Sequence, residues 1–236
     1  MVKGILHRGS GLGNQLHRYV GTKIIALEKG EEHSMIAPEL FKGGGLFNLN
    51  LKDETKYTVE EPSGRVIPES YEGVVDGEFQ AEKDFIGHLD EVREWLKVEP
   101  IEMHEDVCVI NFRGGEYAGV PELFLPYAYW LDGVRKMVNI NPNMRFLIAT
   151  DDEKLARIML PGINVIEPDT GIHWRAIRYA KYLILSNSSF AILPAYLNEN
   201  VKKIIAPKYW ARYNTKEWIN PDNSTYSKFS YIHHED

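Results

Sequence analysis

The sequence predicts an α/β protein built on a doubly wound parallel sheet. Three observations point there. Val107-Cys108-Val109-Ile110 is a continuous apolar run, the mark of a parallel strand covered on both faces. From that run to Ala206, short apolar stretches alternate with helical patterns of about ten residues, as strand-crossover-strand units require. The chain also opens on the same theme, with a strand, a glycine-rich turn and a helix.

Taken in order, Val2 to His7 reads as the first strand, with Gly9, Gly11 and Gly13 as the turn. Leu16, Val20, Ile24 and Leu27 then recur on one face of a helix. Residues 31–75 are less regular, broken by Gly43-Gly44-Gly45 and scattered Pro and Gly. Phe85, Leu89, Val92 and Leu96 mark a second helix that closes near Glu99-Pro100. Beyond the strand at 107, Pro126 to Val138 reads as helix, Phe146 to Thr150 as strand and Asp152 to Leu160 as helix. Thr150-Asp151-Asp152-Glu153 has the capping-box spacing at that last start. Ile163 to Ile166, Leu183 to Leu185 and Lys203 to Ala206 follow as strands, with Ile172 to Tyr182 and Ser189 to Asn198 as helices between them. The expected domains are 1–103, 104–208, and a Trp/Tyr/Asn-rich tail, 209–236, lying on the surface.

Composition narrows the function classes. At 236 residues the chain suits one large or two small domains. With 44% apolar and 26% charged residues it matches ordinary folded proteins. Cys108 is the only cysteine, which excludes an intramolecular disulfide and a Cys-based metal site. A net charge of −7 and a pI near 5.7 argue against general nucleic-acid or anionic-membrane binding. No apolar run approaches the ~18 residues of a transmembrane helix, and Met1-Val2-Lys3-Gly4 begins no signal-peptide core. The expectation is a cytoplasmic protein with no transmembrane segment and no nucleic-acid partner. The sequons at Asn187 and Asn223 are then chance matches. His33, His88 and His104 read as surface residues, and His233-His234 as part of a mobile tail.

Four segments fall where an open parallel sheet places its ligand, just past a strand's carboxyl end. In His7-Arg8-Gly9-Ser10-Gly11-Leu12-Gly13-Asn14-Gln15, a glycine turn opening a helix offers backbone N–H groups to phosphate or sugar hydroxyls, or is an ordinary tight turn. The GxGxxG spacing of a dinucleotide fingerprint is not met. In Asn111-Phe112-Arg113-Gly114-Gly115-Glu116-Tyr117, an arginine leaving a buried strand can clamp a phosphate bidentately, or simply pair with Glu116 on a surface loop. Asp151 and Asp152 suit a ribose or base N–H, and equally suit helix capping. Ser186-Asn187-Ser188-Ser189-Phe190 ends a strand and opens a helix with more small polar residues than one cap needs, which favours an anion site. Walker A, HExxH and GxSxG sequences are absent.

Read together, these segments resemble the alpha-1,2-fucosyltransferase family and its wider fucosyltransferase relatives. Gly11-Leu12-Gly13-Asn14-Gln15-Leu16 looks like the family's GLGNQ(L/M). Asp76-Gly77-Glu78-Phe79-Gln80-Ala81-Glu82-Lys83-Asp84-Phe85 looks like its GYFQSEKYF, and Asn111 to Tyr117 falls where the family has HxRRGDY. Ser186 to Phe190, ending at Leu197-Asn198, resembles SNS(T/S)FSWWxAWLN, and Ile205-Ala206-Pro207-Lys208-Tyr209-Trp210 resembles the strand with APxxW. The five segments keep the family order. The chain departs from the family at four places: Asn111 replaces the histidine, Gly114 the second arginine, Glu116 the aspartate, and Ile192-Leu193 the aromatic pair after Phe190.

The resemblance implies a glycosyltransferase B-like fold, with two Rossmann-like halves of which the first is reduced. It implies that the donor is a GDP-sugar, with GDP-fucose the expected one, with no other cofactor and no metal, and inverting transfer to a glycan acceptor. Without a metal, the charge developing on the leaving diphosphate must meet Arg and N–H donors, and Arg113 with Ser188-Ser189 is chemically fit for that. Asp151 or Asp152 would contact ribose or guanine, with Gly11, Gly13, Asn14, Gln15, Asn111, Ser186, Asn187 and Phe190 completing the substrate site. Glu116 is the candidate general base, with Asp76 and Glu78 as alternatives. With Gly114 in place of an arginine, Arg8, Arg175 or Arg178 would supply the second cation. Two rival functions stand beside this one: a nucleotide- or glycan-binding protein with weak or no catalysis, and an unrelated doubly wound enzyme acting on a phosphorylated metabolite.

Overall fold

The computed structural model describes residues 1–209 and 225–232. The chain divides into two compact units, Met1–Val98 and Glu99–Asp236. His233, His234 and Trp210 lie outside the described residues.

The first unit contains a single β–α–β turn. Strand β1 (Val2–Ile5) runs into helix α1 (Leu12–Lys29), which returns to β2 (His33–Ile36), paired parallel with β1 from Val2↔His33 to Ile5↔Ile36. Gly30 ends α1 in the left-handed region (φ 66°), a conformation that suits a residue without Cβ. The irregular stretch foreseen after residue 31 contains β2 and an antiparallel hairpin, β3 (Tyr57–Glu60) and β4 (Arg65–Pro68). Ile5, Ile36, Ala37 and Val66 form its small core. Unlike β1, which is mostly buried, β3 alternates only half-buried and exposed residues and shows no apolar run, so it does not register as a strand against a loop background. Helix α2 (Leu89–Trp95) is shorter than expected, because 3-10 turns occupy Glu82–Asp84 and Ile86–His88. His33 is half-buried and edge-on to Tyr19 at 5.5 Å, not a surface residue. Burial and the Lys23 charge lower its pKa.

The second unit holds six parallel strands: β5 (Val107–Phe112), β6 (Arg145–Thr150), β7 (Asn164–Val165), β8 (Tyr182–Leu185), β9 (Lys203–Pro207) and β10 (Ser230–Ile232), in the order β10-β9-β8-β5-β6-β7. The chain winds outward from β5 through β6 to β7, then restarts at β8 and winds the other way, which is the doubly wound order. All six residues of β5 are buried, as a central strand covered on both faces requires. The helices are α3 (Tyr127–Ile140), α4 (Glu153–Met159), α5 (Thr170–Tyr179) and α6 (Ser189–Leu197). Cys108, Ile110 and Phe112 pack with Tyr129, Trp130 and Met137 of α3 and Ala156 of α4. Buried Asn198 ties α6 to the end of α5, its Nδ2 donating to the Ile177 and Ala180 carbonyls at 3.1 and 2.8 Å.

Two further expectations are corrected. Part of the surface tail belongs to the sheet: β10 pairs parallel with β9, and Tyr226, Phe229 and Ile232 are buried. The capping residue of α4 is Asp152, whose Oδ1 accepts from Leu155 N at 2.9 Å, while Thr150 Oγ1 accepts from Asp152 N at 3.0 Å. The one-step shift means that Thr150–Glu153 is not a capping box. Among the described residues no helix is long and apolar enough to cross a membrane.

Candidate functional site

A doubly wound sheet opens a crevice where neighbouring strands lead the chain away in opposite directions. Here that point lies between β5 and β8. The register Asn111↔Leu185, Asn111↔Ala149 and Phe112↔Thr150 brings the carboxyl ends of β8, β5 and β6 level. The three loops leaving those ends carry Arg113 to Tyr117, Asp151 and Ser186 to Ser189, so the structure gathers three of the four predicted segments at one edge.

Arg113 is the centre of this edge. Its Nη1 lies 2.5 Å from Asp151 Oδ2 and its Nη2 2.9 Å from Glu116 Oε1. The Tyr117 ring lies beneath the guanidinium, 5.1 Å from ring centre to Cζ, a cation–π distance. Asp151 also accepts from Gly114 N at 2.9 Å through Oδ1, so both its oxygens hold the 113–115 loop. The glycines permit this closeness. A Cβ at Gly115 would fall 2.4 Å from Asp151 Oδ2, and one at Gly114 would fall 2.7 Å from Asp152 Cβ. Gly115 further adopts φ +29°, on the side that L side chains avoid.

The second loop is tied to the first. Ser186 N donates to Asn111 O at 3.1 Å, Ser186 Oγ to Asn111 Oδ1 at 2.8 Å, and Tyr117 OH to Asn187 O at 3.3 Å. Ser188 stands at the N-cap position of α6 with extended backbone, yet its side chain makes no capping bond. Phe190 meets Trp174 of α5 edge-on at 5.6 Å.

Several predicted ligand contacts turn out to be structural. Buried Asn111 and Ser186 bond each other across β5 and β8, and buried Asn187 donates from Nδ2 to Leu123 O at 3.0 Å. That burial also suits Asn187 poorly to a glycan. Asp152 caps α4. In the first unit Gln15 is 0% exposed, with Nε2 donating to Leu40 O at 2.7 Å and Oε1 accepting from Lys42 N at 2.9 Å. Both ends of its amide anchor the segment after β2, so Gln15 supports that segment.

The two motifs of the first unit meet each other. Gly11 is the N-cap of α1, and a Cβ there would meet nothing; Gly13 is buried in the first turn. Asn14 Oδ1 accepts from Gln80 Nε2 at 3.2 Å, and Phe79 rests on Gly21, where a Cβ would approach its ring to 2.2 Å. Arg18 bridges Asp76, at 2.5 Å, and Glu78. His7 Nδ1 accepts from Val66 N at 3.0 Å, which leaves Nε2 to carry the proton toward Asp76 Oδ1 at 3.1 Å. Partial burial works to raise the Asp76 pKa, but the hydrogen bonds and charges of Arg18 and His7 outweigh it and hold it below the ordinary carboxylate value.

Of the candidate second cations, Arg8 pairs with Glu61 and Arg178 lies 3.7 Å from Glu199. Arg175 donates from Nε to Gly171 O at 3.1 Å and, among the described residues, faces no carboxylate within ion-pair distance. Sequence reasoning passed over His173 of α5, which is 9% exposed. Burial lowers its pKa, against opposing hydrogen bonds to the Ile166 and Glu167 carbonyls and the charges of Asp169 and Asp151. Only its place in the first turn of a helix past β7 hinted at this neighbourhood. Among the described residues no group of three His, Cys, Asp or Glu side chains gathers as metal ligands would.

No family model and no curated protein matches the chain. Among solved structures it is similar to the NodZ alpha-1,6-fucosyltransferase co-crystallised with GDP. That likeness covers 87% of this chain and 94% of the other at 10% identity, with a TM-score of 0.46. It is similar also to the E. coli heptosyltransferase WaaC with ADP, covering 94% and 92% at 12% identity, with a TM-score of 0.47.

Proposed function

We propose that the chain is a glycosyltransferase that binds a nucleotide sugar at the carboxyl edge of the six-stranded sheet. The donor is GDP-fucose, and fucose passes with inversion to a hydroxyl of a glycan. One observation carries this proposal: an arginine held at the switch point beside a helix start whose N-cap hydroxyl makes no capping bond. A cation and a helix N-terminus at one edge make a diphosphate site. The five fucosyltransferase-like segments supply the choice of donor.

In this mechanism Arg113 neutralises the charge that develops on the leaving diphosphate, the largest electrostatic demand of the step. Ser188 and Ser189 add donors at the start of α6, and Arg175 supplies the second cation. The acceptor hydroxyl gives its proton to a carboxylate as the new bond forms. Glu116, 75% exposed in the Arg113 loop, takes that role in preference to Asp76, whose lowered pKa, set by the Arg18 and His7 hydrogen bonds and charges, makes it a weaker proton acceptor. A second reading, a nucleotide- or glycan-binding protein without turnover, is favoured by the crowding that excludes a side chain at Gly114.

A thermal-shift panel of GDP, ADP and UDP with their sugars tests the donor class. A ligand at 100 times its Kd raises stability by about 2.7 kcal/mol. Stabilisation by GDP and GDP-fucose above the others is the expected result. Preference for a UDP-sugar overturns the choice of donor, and no response to any nucleotide overturns the site.

A further inference from the structure

Asp151 reads from sequence as a contact to ribose or guanine, but its surroundings give it different work. Both carboxylate oxygens are engaged within the protein, Oδ1 by Gly114 N at 2.9 Å and Oδ2 by Arg113 Nη1 at 2.5 Å. The carboxylate thus grips the backbone and the side-chain tip of the same loop at once. It does so from a neighbouring strand, since Asp151 directly follows β6 while Arg113 directly follows β5. Gly115 leaves no Cβ between them: one placed there would lie 2.4 Å from Oδ2.

Glu116 holds the other side of the guanidinium, but differently. It is three residues along the same loop and 75% exposed, against 28% for Asp151. An anion approaching Arg113 from solvent can replace Glu116 on Nη2 without disturbing Asp151 on Nη1.

We propose that Asp151 is the positioning residue of the Arg113 loop. It fixes the guanidinium through Nη1 and the Gly114 amide through Oδ1, and leaves Nη2 to exchange Glu116 for an incoming diphosphate. The identity of that anion rests on the nucleotide-sugar function proposed above; the grip on Arg113 does not. Asp151 therefore touches no part of the nucleoside. Its removal acts on ligand binding through the Arg113 loop.

The test has a ligand-free arm and a ligand arm. In the ligand-free protein labelled with 15N-arginine, the Arg113 side-chain signals, assigned by their loss in Arg113→Lys, should show restricted guanidinium rotation. Asp151→Asn keeps an acceptor for Gly114 N but removes the charge facing Nη1, and it should collapse those signals to a freely rotating average. Glu116→Gln should leave the restriction in place. An unchanged Arg113 spectrum in Asp151→Asn overturns the proposal.

For the ligand arm, calorimetric titration should show GDP bound roughly tenfold more weakly by Asp151→Asn, the loss of one charge-assisted hydrogen bond's worth of positioning. Guanosine, which lacks the diphosphate, should bind the variant and the wild type equally. The Arg113→Ala/Asp151→Asn double variant should be no weaker for GDP than Arg113→Ala alone, since a residue acting through another gives non-additive losses. Additive losses, or weakened guanosine binding, would make Asp151 a nucleoside contact and overturn the proposal. Should the wild type bind neither GDP nor guanosine, the nucleotide function fails, and the Arg113 spectrum alone decides the role of Asp151.

Discussion

Placing an arginine at position 114 should weaken this protein. A Cβ on Gly114 would lie 2.7 Å from Asp152 Cβ and 3.2 Å from Phe112 Cε1. Neither atom is the far end of a flexible chain. Asp152 Cβ is one bond from the backbone, and its carboxylate caps α4 through Leu155 N; Phe112 is buried in the core of the second unit. Forcing extra atoms into such a site costs about 1–3 kcal/mol. Pushing Asp152 off its cap adds about 1 kcal/mol. The sum, about 2–4 kcal/mol, is a large fraction of the ~5–15 kcal/mol that holds an ordinary domain folded. Because the first carbon causes the clash, Gly114→Ala should show most of the loss that Gly114→Arg shows. Urea unfolding followed by far-ultraviolet circular dichroism measures both. Gly114→Ala within about 0.5 kcal/mol of wild type, the range of an ordinary surface change, would refute the steric reasoning. So would a stable Gly114→Arg that bound GDP more tightly.

Three further outcomes are expected. Arg113→Ala should weaken GDP binding at least tenfold by calorimetry with the urea midpoint little changed, and Arg113→Lys should recover only part of it, because a point charge cannot replace the planar fork. GDP binding and fucose transfer should persist in EDTA; a strict need for manganese or magnesium would point to carboxylates outside the Arg113 cluster. Stability should fall as pH drops below the ordinary histidine pKa of about 6.5, since burial lowers the pKa of both His173 and His33 and the unfolded chain then binds more protons. The slope is at most about 1.4 kcal/mol per pH unit per group. His173→Asn should make it shallower, and an unchanged slope in that variant would remove His173 as a source.

The second unit was legible because its signals are strong and local. The apolar run at 107–110 and the alternation after it follow from burying a parallel strand on both faces, and β5, β6, β8 and β9 stand where those patterns lie. The same logic placed Arg113, Asp151 and Ser186–Ser189 at one edge, since carboxyl ends of neighbouring parallel strands gather there. What sequence could not give was the division of labour among polar side chains. Gln15, Asn111, Ser186 and Asn187 have the chemistry of ligand contacts, but polar groups that are buried must find partners, and these find them in the protein. Strand β10 was missed for another reason: its three residues pair with β9, more than twenty residues away in the chain.

Following GDP release from GDP-fucose with a galactose-terminated glycan present reads out whether the edge between β5 and β8 serves a GDP-sugar for transfer. Release that depends on the glycan and falls steeply in Arg113→Ala is the predicted result. GDP-fucose bound at that edge with no release in any acceptor's presence would contradict transfer and leave a binding protein. Release unaffected by Arg113→Ala would contradict the site.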